Sequence, residues 1–236
     1  MFGKAAESLG EDRRLLVMGD IHGQFGKMLK VLELASYDQA KDRLILLGDY
    51  VDRGHESSLV VAEVMRLVET GAVALYGNHE DMMRKALKHR KNGPVSADDL
   101  EQWYANGGEI TLVSYRDRSE LLDGHLEFLS KLPSWHEEND YQFVHAGFRP
   151  GIPLMLQSLH DMIWIREPYI LGYEDSHCVV TGHTPTQYLA RYELFSDIED
   201  SSKPVIRKHK IFLDTGAAWG GPLTIMELPS QKYWQA

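Results

Sequence analysis

The sequence predicts an α/β fold, on three observations. Short apolar, β-prone runs recur along the chain, and each ends in glycine or in a polar residue able to bind a metal. Patterns of helical period lie between the first three runs. From Tyr141 onward the chain becomes strand-rich.

The runs can be taken in order. Leu15-Leu16-Val17-Met18 leads into Gly19-Asp20-Ile21-His22-Gly23, and Leu44-Ile45-Leu46-Leu47 leads into Gly48-Asp49. Ala72-Val73-Ala74-Leu75-Tyr76 leads into Gly77-Asn78-His79-Glu80. Tyr141-Gln142-Phe143-Val144 leads into His145-Ala146-Gly147, and Cys178-Val179-Val180-Thr181 leads into Gly182-His183-Thr184-Pro185. Ile211-Phe212-Leu213 leads into Asp214-Thr215-Gly216. Continuous apolar runs bounded by glycine read as buried strands.

Phe25, Met28, Leu29 and Leu32 follow the i, i+3, i+4, i+7 spacing of a helix. A second apolar face, Leu59, Ala62 and Leu67, has Ser57 or Ser58 as its N-cap and Gly71 just past its end. The result is a βαβαβ unit, whose parallel strands bring their C-terminal ends to one edge, where open α/β sheets bind ligands. Asp81 to Leu132 reads as mostly helical, with Ser96 and Asp99 as a capping box, a break at Asn106-Gly107-Gly108 and a stop at Pro133. Ile211–Leu213 and Leu223–Leu228, joined through Gly220-Gly221-Pro222, read as a hairpin, and residues 192–210 as a polar surface loop. No linker interrupts the chain, so residues 1–236 are expected to form one domain.

Composition narrows the function classes. The 236 residues are 43% hydrophobic and 25% charged, ordinary for a globular protein. The net charge of −10 repels nucleic acid and anionic membranes, so neither is an expected partner. An anionic substrate can still bind an acidic protein where metal ions and arginines reverse the local sign. The lone cysteine, Cys178, excludes an intramolecular disulfide and fits a reducing compartment. Met1 to Arg14 lacks an apolar core, and no apolar run approaches the ~20 residues of a membrane span, so a cytoplasmic location is expected.

The chemistry sits at the strand ends. Asp20 and His22 lie at i, i+2, on one side of an extended segment. A carboxylate with an imidazole is a mixed O/N donor set that suits Mn, Fe or Zn better than Ca or Mg. Asp49 adds a carboxylate, Asn78 an amide oxygen, and His145 and His183 two imidazoles. Six donors exceed one tetrahedral ion and suit two ions sharing a bridging carboxylate, for which Asp49 is the candidate. Two ions ~3.5–4 Å apart can clamp both oxygens of an in-line displacement. Met82-Met83 is expected in the core and Asp214 in a supporting role. His55, His89, His125, His136, His160, His177 and His209 belong to no motif and are expected to be solvated or structural.

Gly19-Asp20-Ile21-His22-Gly23, Gly48-Asp49-Tyr50-Val51-Asp52-Arg53-Gly54 and Gly77-Asn78-His79-Glu80 resemble, in order and spacing, the three signature blocks of the phosphoprotein phosphatase family of metallophosphoesterases. His145-Ala146-Gly147, Trp164-Ile165-Arg166, Gly182-His183-Thr184-Pro185 and the Trp103 to Gly108 segment are similar to the small bacterial and phage members. The resemblance spans roughly residues 15–228. It implies a calcineurin-like fold, a central β-sandwich flanked by helices. One metal would be held by Asp20, His22 and Asp49, the other by Asp49, Asn78, His145 and His183. Water held by the pair would be the nucleophile. His79 would protonate the leaving alkoxide, Asp52 would orient the His79 ring, and Arg53 and Arg166 would grip the phosphoryl oxygens. His145-Ala146-Gly147 departs from the His-Gly-Gly of the large eukaryotic catalytic subunits, so their regulatory grooves are not carried over.

The expected activity is therefore a Mn²⁺-dependent serine/threonine protein phosphatase acting on phosphorylated proteins or peptides, with phosphotyrosine and small phosphate esters as further substrates. The rival on the same scaffold is a dinucleoside polyphosphate or nucleotide pyrophosphohydrolase. Asp52 and Glu80, often absent from those relatives, favour the phosphatase. A third reading, an inactive scaffold that binds phosphorylated partners, would show a missing ligand or a missing His79, and none is missing. The oligomeric state is left open.

Overall fold

The computed structural model describes residues 13–88 and 96–236; His89 and the polar start at 1–12 lie outside them. The βαβαβ unit opens the fold: β1 (Arg14–Met18), α1 (Phe25–Leu34), β2 (Asp42–Leu46), α2 (Ser57–Glu69) and β3 (Val73–Ala74). β1 pairs with β2, and β2 with β3, both parallel. Four helices follow: α3 (Asn78–Leu87), α4 (Ala97–Ala105), α5 (Gly108–Ser114) and α6 (Leu122–Leu129). The second half alternates strands with short helices: β4 (Trp135–Glu138), β5 (Tyr141–Val144), α7 (Leu159–Trp164), α8 (Glu167–Gly172), β6 (Cys178–Thr181) and α9 (Thr186–Leu189). It closes with β7 (Val205–Arg207), β8 (Lys210–Phe212), β9 (Thr224–Leu228) and β10 (Tyr233–Gln235).

The strands form two five-stranded sheets, β10-β9-β1-β2-β3 and β4-β5-β6-β8-β7. Strand side chains alternate between faces, so the sequence of each run shows how the layers stack. In β1, Leu15 and Val17 face the other sheet, while Leu16 and Met18 face helices. Ile45 of β2 and Met226 and Leu228 of β9 share the first face; Leu44, Leu46 and Ile225 share the second. From the second sheet, Phe143, Val180 and Ile211 meet that inner face, and Val144, Val179 and Phe212 turn to α7 and α8. Both faces are covered, which explains why the strands read as continuous apolar runs. Each fully buried Val, Leu or Ile contributes roughly 1.5–3 kcal/mol. The expected α/β sandwich flanked by helices is the observed architecture.

Several local expectations are corrected. Ile211–Leu213 and Leu223–Leu228 are not a hairpin: β8 pairs with β6 and β7, β9 with β1 and β10. Both edges of β8 are occupied, so the intervening segment carries the chain from one sheet to the other. Residues 192–210 are not all loop, because Val205–Arg207 forms an edge strand that turns back into β8. Leu29 of α1 and Ala62 of α2 are exposed, and the α2 core face is Val60, Val61, Val64 and Leu67. The N-cap of α2 is Glu56, with Ser57 and Ser58 inside the first turn, where Ser58 donates to Ser114 O. Ser96 does cap α4, accepting from Asp99 N, and Met82 and Met83 are in the core.

Candidate metal centre

The C-terminal ends of strands from both sheets meet at one edge. Asp20 follows β1, Asp49 follows β2, and Asn78 opens α3 just beyond β3. His145 follows β5, His183 follows β6, and Asp214 follows β8. All six predicted ligands are buried, as are His79 and Asp52. The backbone is bent there. His22 (φ 46°), Asp49 (φ 55°), Asp52 (φ 72°), Arg53 (φ 69°) and His183 (φ 61°) occupy the left-handed region, which costs a non-glycine residue about 1–2 kcal/mol. Strain of this kind persists only where surrounding structure fixes it.

Glu80 supplies much of that fixing. Its Oε2 accepts from the backbone N–H groups of Asp49 (2.9 Å) and Gly77 (3.0 Å), and its Oε1 from Tyr50 (2.8 Å). Burial and the Asp49 carboxylate push Glu80 up to about 8, against those hydrogen bonds. Its oxygens face amide donors, so the geometry selects the ionised form. Asp49 in turn sits at the N-terminus of α3, where Oδ1 accepts from His79 N at 3.0 Å and the helix dipole favours a carboxylate. Burial opposes its charge, but His145 and His79 hold its pKa well below the usual carboxylate range.

Two groups of ligand atoms converge within 4.8 Å of one another: His22, Asp49 and His79, and Asp49, His145 and His183. They share Asp49 and support a dinuclear metal site. The hydrogen bonds assign the ring tautomers. His22 Nδ1 donates to Val51 O at 2.9 Å, so its Nε2 carries the lone pair, 3.5 Å from Asp49 Oδ2. His145 Nδ1 donates to Leu47 O at 2.9 Å, which aims its Nε2 at Asn78 Oδ1 (2.9 Å) and Asp49 Oδ1 (3.3 Å), the position a cation would take. His183 Nε2 lies 3.3 Å from Trp164 O, which leaves Nδ1 as the lone pair facing Asn78 Oδ1 at 2.9 Å. The His183 Nδ1 lone pair facing the Asn78 carbonyl oxygen is repulsive unless a cation lies between them, and the mixed O/N donors suit a transition metal. Burial holds His22 and His183 well below the ordinary histidine pKa, which favours the neutral ring a metal needs. Burial also acts against charge on His145, but Asp49 and Asp20 outweigh it and hold that ring up at about 9.

Asp20 stands apart from both groups. Its Oδ2 accepts from His183 N at 2.9 Å, while Oδ1 is buried without a partner. Gly182 makes room for it, since a Cβ there would overlap Asp20 Oδ1. Burial and Asp214 raise the Asp20 pKa well above normal, a repulsion that a cation at Oδ1 would relieve. Asp214 is itself pushed up to about 6 by burial and accepts from Gly216 N at 3.0 Å.

The other predicted residues surround the cluster. His79 Nδ1 is 2.7 Å from Asp52 Oδ2, with Nε2 3.9 Å from Asp49 Oδ2. Burial raises Asp52 to about 8 against the hydrogen bonds it accepts from Thr111 and Trp103, and burial lowers His79 to about 3. Arg53 Nη1 reaches His22 Nε2 at 2.7 Å. Arg166 donates from Nη1 to His183 O and to Thr184 Oγ1, both at 3.0 Å.

Sequence reasoning missed two supports of Asp52. Trp103 Nε1 donates to its Oδ1 (2.9 Å), and Thr111 Oγ1 donates to the same oxygen (2.7 Å). The Asn106-Gly107-Gly108 break makes this possible. Gly107 takes φ 93° and its carbonyl accepts from Arg53 N, and a Cβ at Gly108 would strike the Trp103 indole. The Trp103 to Gly108 segment was visible as a motif without a role, and Thr111 gave no signal.

Residues 13–214 match the calcineurin-like phosphoesterase family, and the chain belongs to it. Among its relatives, it is 29% identical to serine/threonine-protein phosphatase 1 of Salmonella typhimurium over 227 residues, 92% of each chain. It is 32% identical to a symmetrical bis(5'-nucleosyl)-tetraphosphatase of Aromatoleum aromaticum over 175 residues, 74% of this chain and 55% of that one. Further bacterial tetraphosphatases, symmetrical and asymmetrical, match at 24–32% identity. A crystal structure assigned to a diadenosine tetraphosphatase superposes with a TM-score of 0.70 at 21% identity, over 96% of this chain and 94% of that one. The chain is thus a metal-dependent phosphoesterase. Among the described residues, no helix is long and apolar enough to cross a membrane.

Proposed function

We propose that this chain is a dinucleoside polyphosphate hydrolase of the diadenosine tetraphosphate type. The recurrence of tetraphosphatases among its relatives carries that choice of substrate. Asp20, His22 and Asp49 would hold one cation, and Asp49, Asn78, His145 and His183 the other, with Mn²⁺ the first candidate and Fe or Zn alternatives. When bound, such a pair lowers the pKa of water and clamps the attacking and leaving oxygens. Arg53 and Arg166, at opposite ends of the cluster, would bind the phosphoryl oxygens. His79 would hand a proton to the departing oxygen from a ring oriented by Asp52.

The second reading is a serine/threonine protein phosphatase. The 2.7 Å His79–Asp52 contact favours it, because an alkoxide leaving group needs a proton more than a departing phosphate does. The Salmonella relative, matched along 92% of its length, favours it too. Glu80 no longer separates the two readings, because its clamp on the Asp49 and Tyr50 amides serves any substrate. The test is kcat/KM with Mn²⁺ for diadenosine tetraphosphate against phosphoserine, phosphothreonine and phosphotyrosine peptides. The nucleotide is expected to exceed every peptide by about tenfold or more, a transition-state preference of about 1.4 kcal/mol. A peptide ranking above it would sink the nucleotide reading.

A further inference from the structure

Trp219 is the most exposed aromatic side chain among the described residues, with 68% of its surface in solvent. Its loop is nonetheless tightly held. Gly216 O accepts from Trp219 N (2.8 Å) and Gly221 N (2.9 Å), Thr215 Oγ1 donates to Pro222 O (2.7 Å), and Lys27 Nζ from α1 donates to Ala217 O (3.2 Å) and Gly221 O (2.6 Å). A large apolar ring on a fixed loop tip gains little from folding and leaves a surface free for a contact.

The indole lies at the rim of the metal centre. Arg53 Cζ sits 4.8 Å from its ring centroid, and the same guanidinium reaches His22 Nε2 at 2.7 Å. One guanidinium therefore stands between the cluster and the aromatic ring, where a bound cation would take its place on His22 Nε2 and leave it to face a phosphate, and the ring keeps most of its surface free. A group that Arg53 holds by its phosphate would carry its attached nucleoside past Trp219. A nucleobase is flat and apolar on both faces and stacks on such a surface. A phosphorylated serine carries no flat group on its phosphate.

We propose that Trp219 is the stacking platform for the substrate nucleobase, with Arg53 setting the base's phosphate beside it. This rests on the nucleotide reading of the site. The test is calorimetric titration of the Mn²⁺-loaded protein and its Trp219→Ala and Trp219→Phe variants with ADP and with inorganic pyrophosphate. The two ligands share a diphosphate and differ by the nucleoside, so the ratio of their dissociation constants isolates the base. Trp219→Ala is expected to shift that ratio against ADP by roughly tenfold, the scale of one base–aromatic stack, and Trp219→Phe to recover part of it. An unchanged ratio overturns the platform. Equal weakening of both ligands overturns it too, since Trp219 would then act only by holding Arg53. Turnover of diadenosine tetraphosphate by the unaltered chain is scored separately: its absence removes the nucleotide-hydrolase reading, while the ADP ratio alone decides the platform.

Discussion

Replacing Glu80 with glutamine tests whether one buried carboxylate holds the metal-centre backbone in place. The change preserves shape and removes a charge. Oε2 accepts from Asp49 N and Gly77 N, and Oε1 from Tyr50 N at 2.8 Å and Val51 N at 3.4 Å. Whichever way the amide turns, its NH₂ faces two backbone donors that had an acceptor. An orphaned buried donor costs about 1–3 kcal/mol, so the loss should be roughly 2–6 kcal/mol. For a chain of this size that lowers Tm by about 5–20 °C. Urea unfolding of the metal-free proteins measures it without a contribution from bound cations, and an unchanged m value would show that the compactness of the two states is the same. A Glu80→Gln variant within about 0.5 kcal/mol of the parent would refute the reasoning. It would mean that the carboxyl is already neutral, or that water replaces it without penalty.

Three further outcomes are expected. His79→Asn should cut kcat by about 10²–10⁴ while metal content, measured by mass spectrometry of the ashed protein, stays near that of the parent; near-parental turnover would remove the proton-transfer role. Chelation should abolish hydrolysis and Mn²⁺ restore it, and a rigorously metal-free protein that still turns over would falsify the dinuclear reading. Glu138 is buried; burial opposes its charge, but His136 and Arg43 outweigh it and lower its pKa. A depressed folded pKa gives stability above the unfolded value of about 4.3 that is lost as pH falls through the folded one. Glu138→Gln should therefore cost roughly 1 kcal/mol at pH 7 and less at pH 3, read from urea midpoints at both; an equal cost at the two pH values would refute the linkage.

The sequence made the fold legible where one local rule was decisive. Leu15 to Met18 and Leu44 to Leu47 announce strands because both faces are buried, and one glycine after each run comes the residue that enters the cluster. It failed where partner choice decides. Nothing local in Ile211–Leu213 and Leu223–Leu228 says that the two belong to different sheets; competition from β6, β7, β1 and β10 for their edges does. The same limit applies at the site. Asp20, His22, Asp49 and Asn78 stand in recognisable blocks, and the structure brings them together with His145 and His183. Thr111, 59 residues from Asp52, has no pattern that announces its hydrogen bond. Trp219 lies in an ordinary glycine-rich turn, and only its approach to Arg53 gives it meaning.

The two sheets contribute opposite halves of the cluster. Asp20, Asp49 and Asn78 come from the edge of the first, His145 and His183 from the second, and the packing of Val17, Ile45 and Leu47 against Phe143, Val180 and Ile211 sets their separation. Cross-sheet contacts such as His183 N to Asp20 Oδ2 and His145 Nδ1 to Leu47 O fix the register at the site itself. Cations bound there would join the sheets at their shared edge and stabilise the folded chain by RT ln(1 + [metal]/Kd), about 2.7 kcal/mol at a hundredfold excess over Kd. The same coupling runs in reverse. A cavity opened between the sheets loosens the donor geometry, so a core substitution such as Ile211→Ala, far from any proposed ligand in sequence, acts on metal affinity as well as on stability. Left-handed strain at His22, Asp49, Asp52, Arg53 and His183 is tolerable because that packing and the Glu80 clamp favour the same backbone.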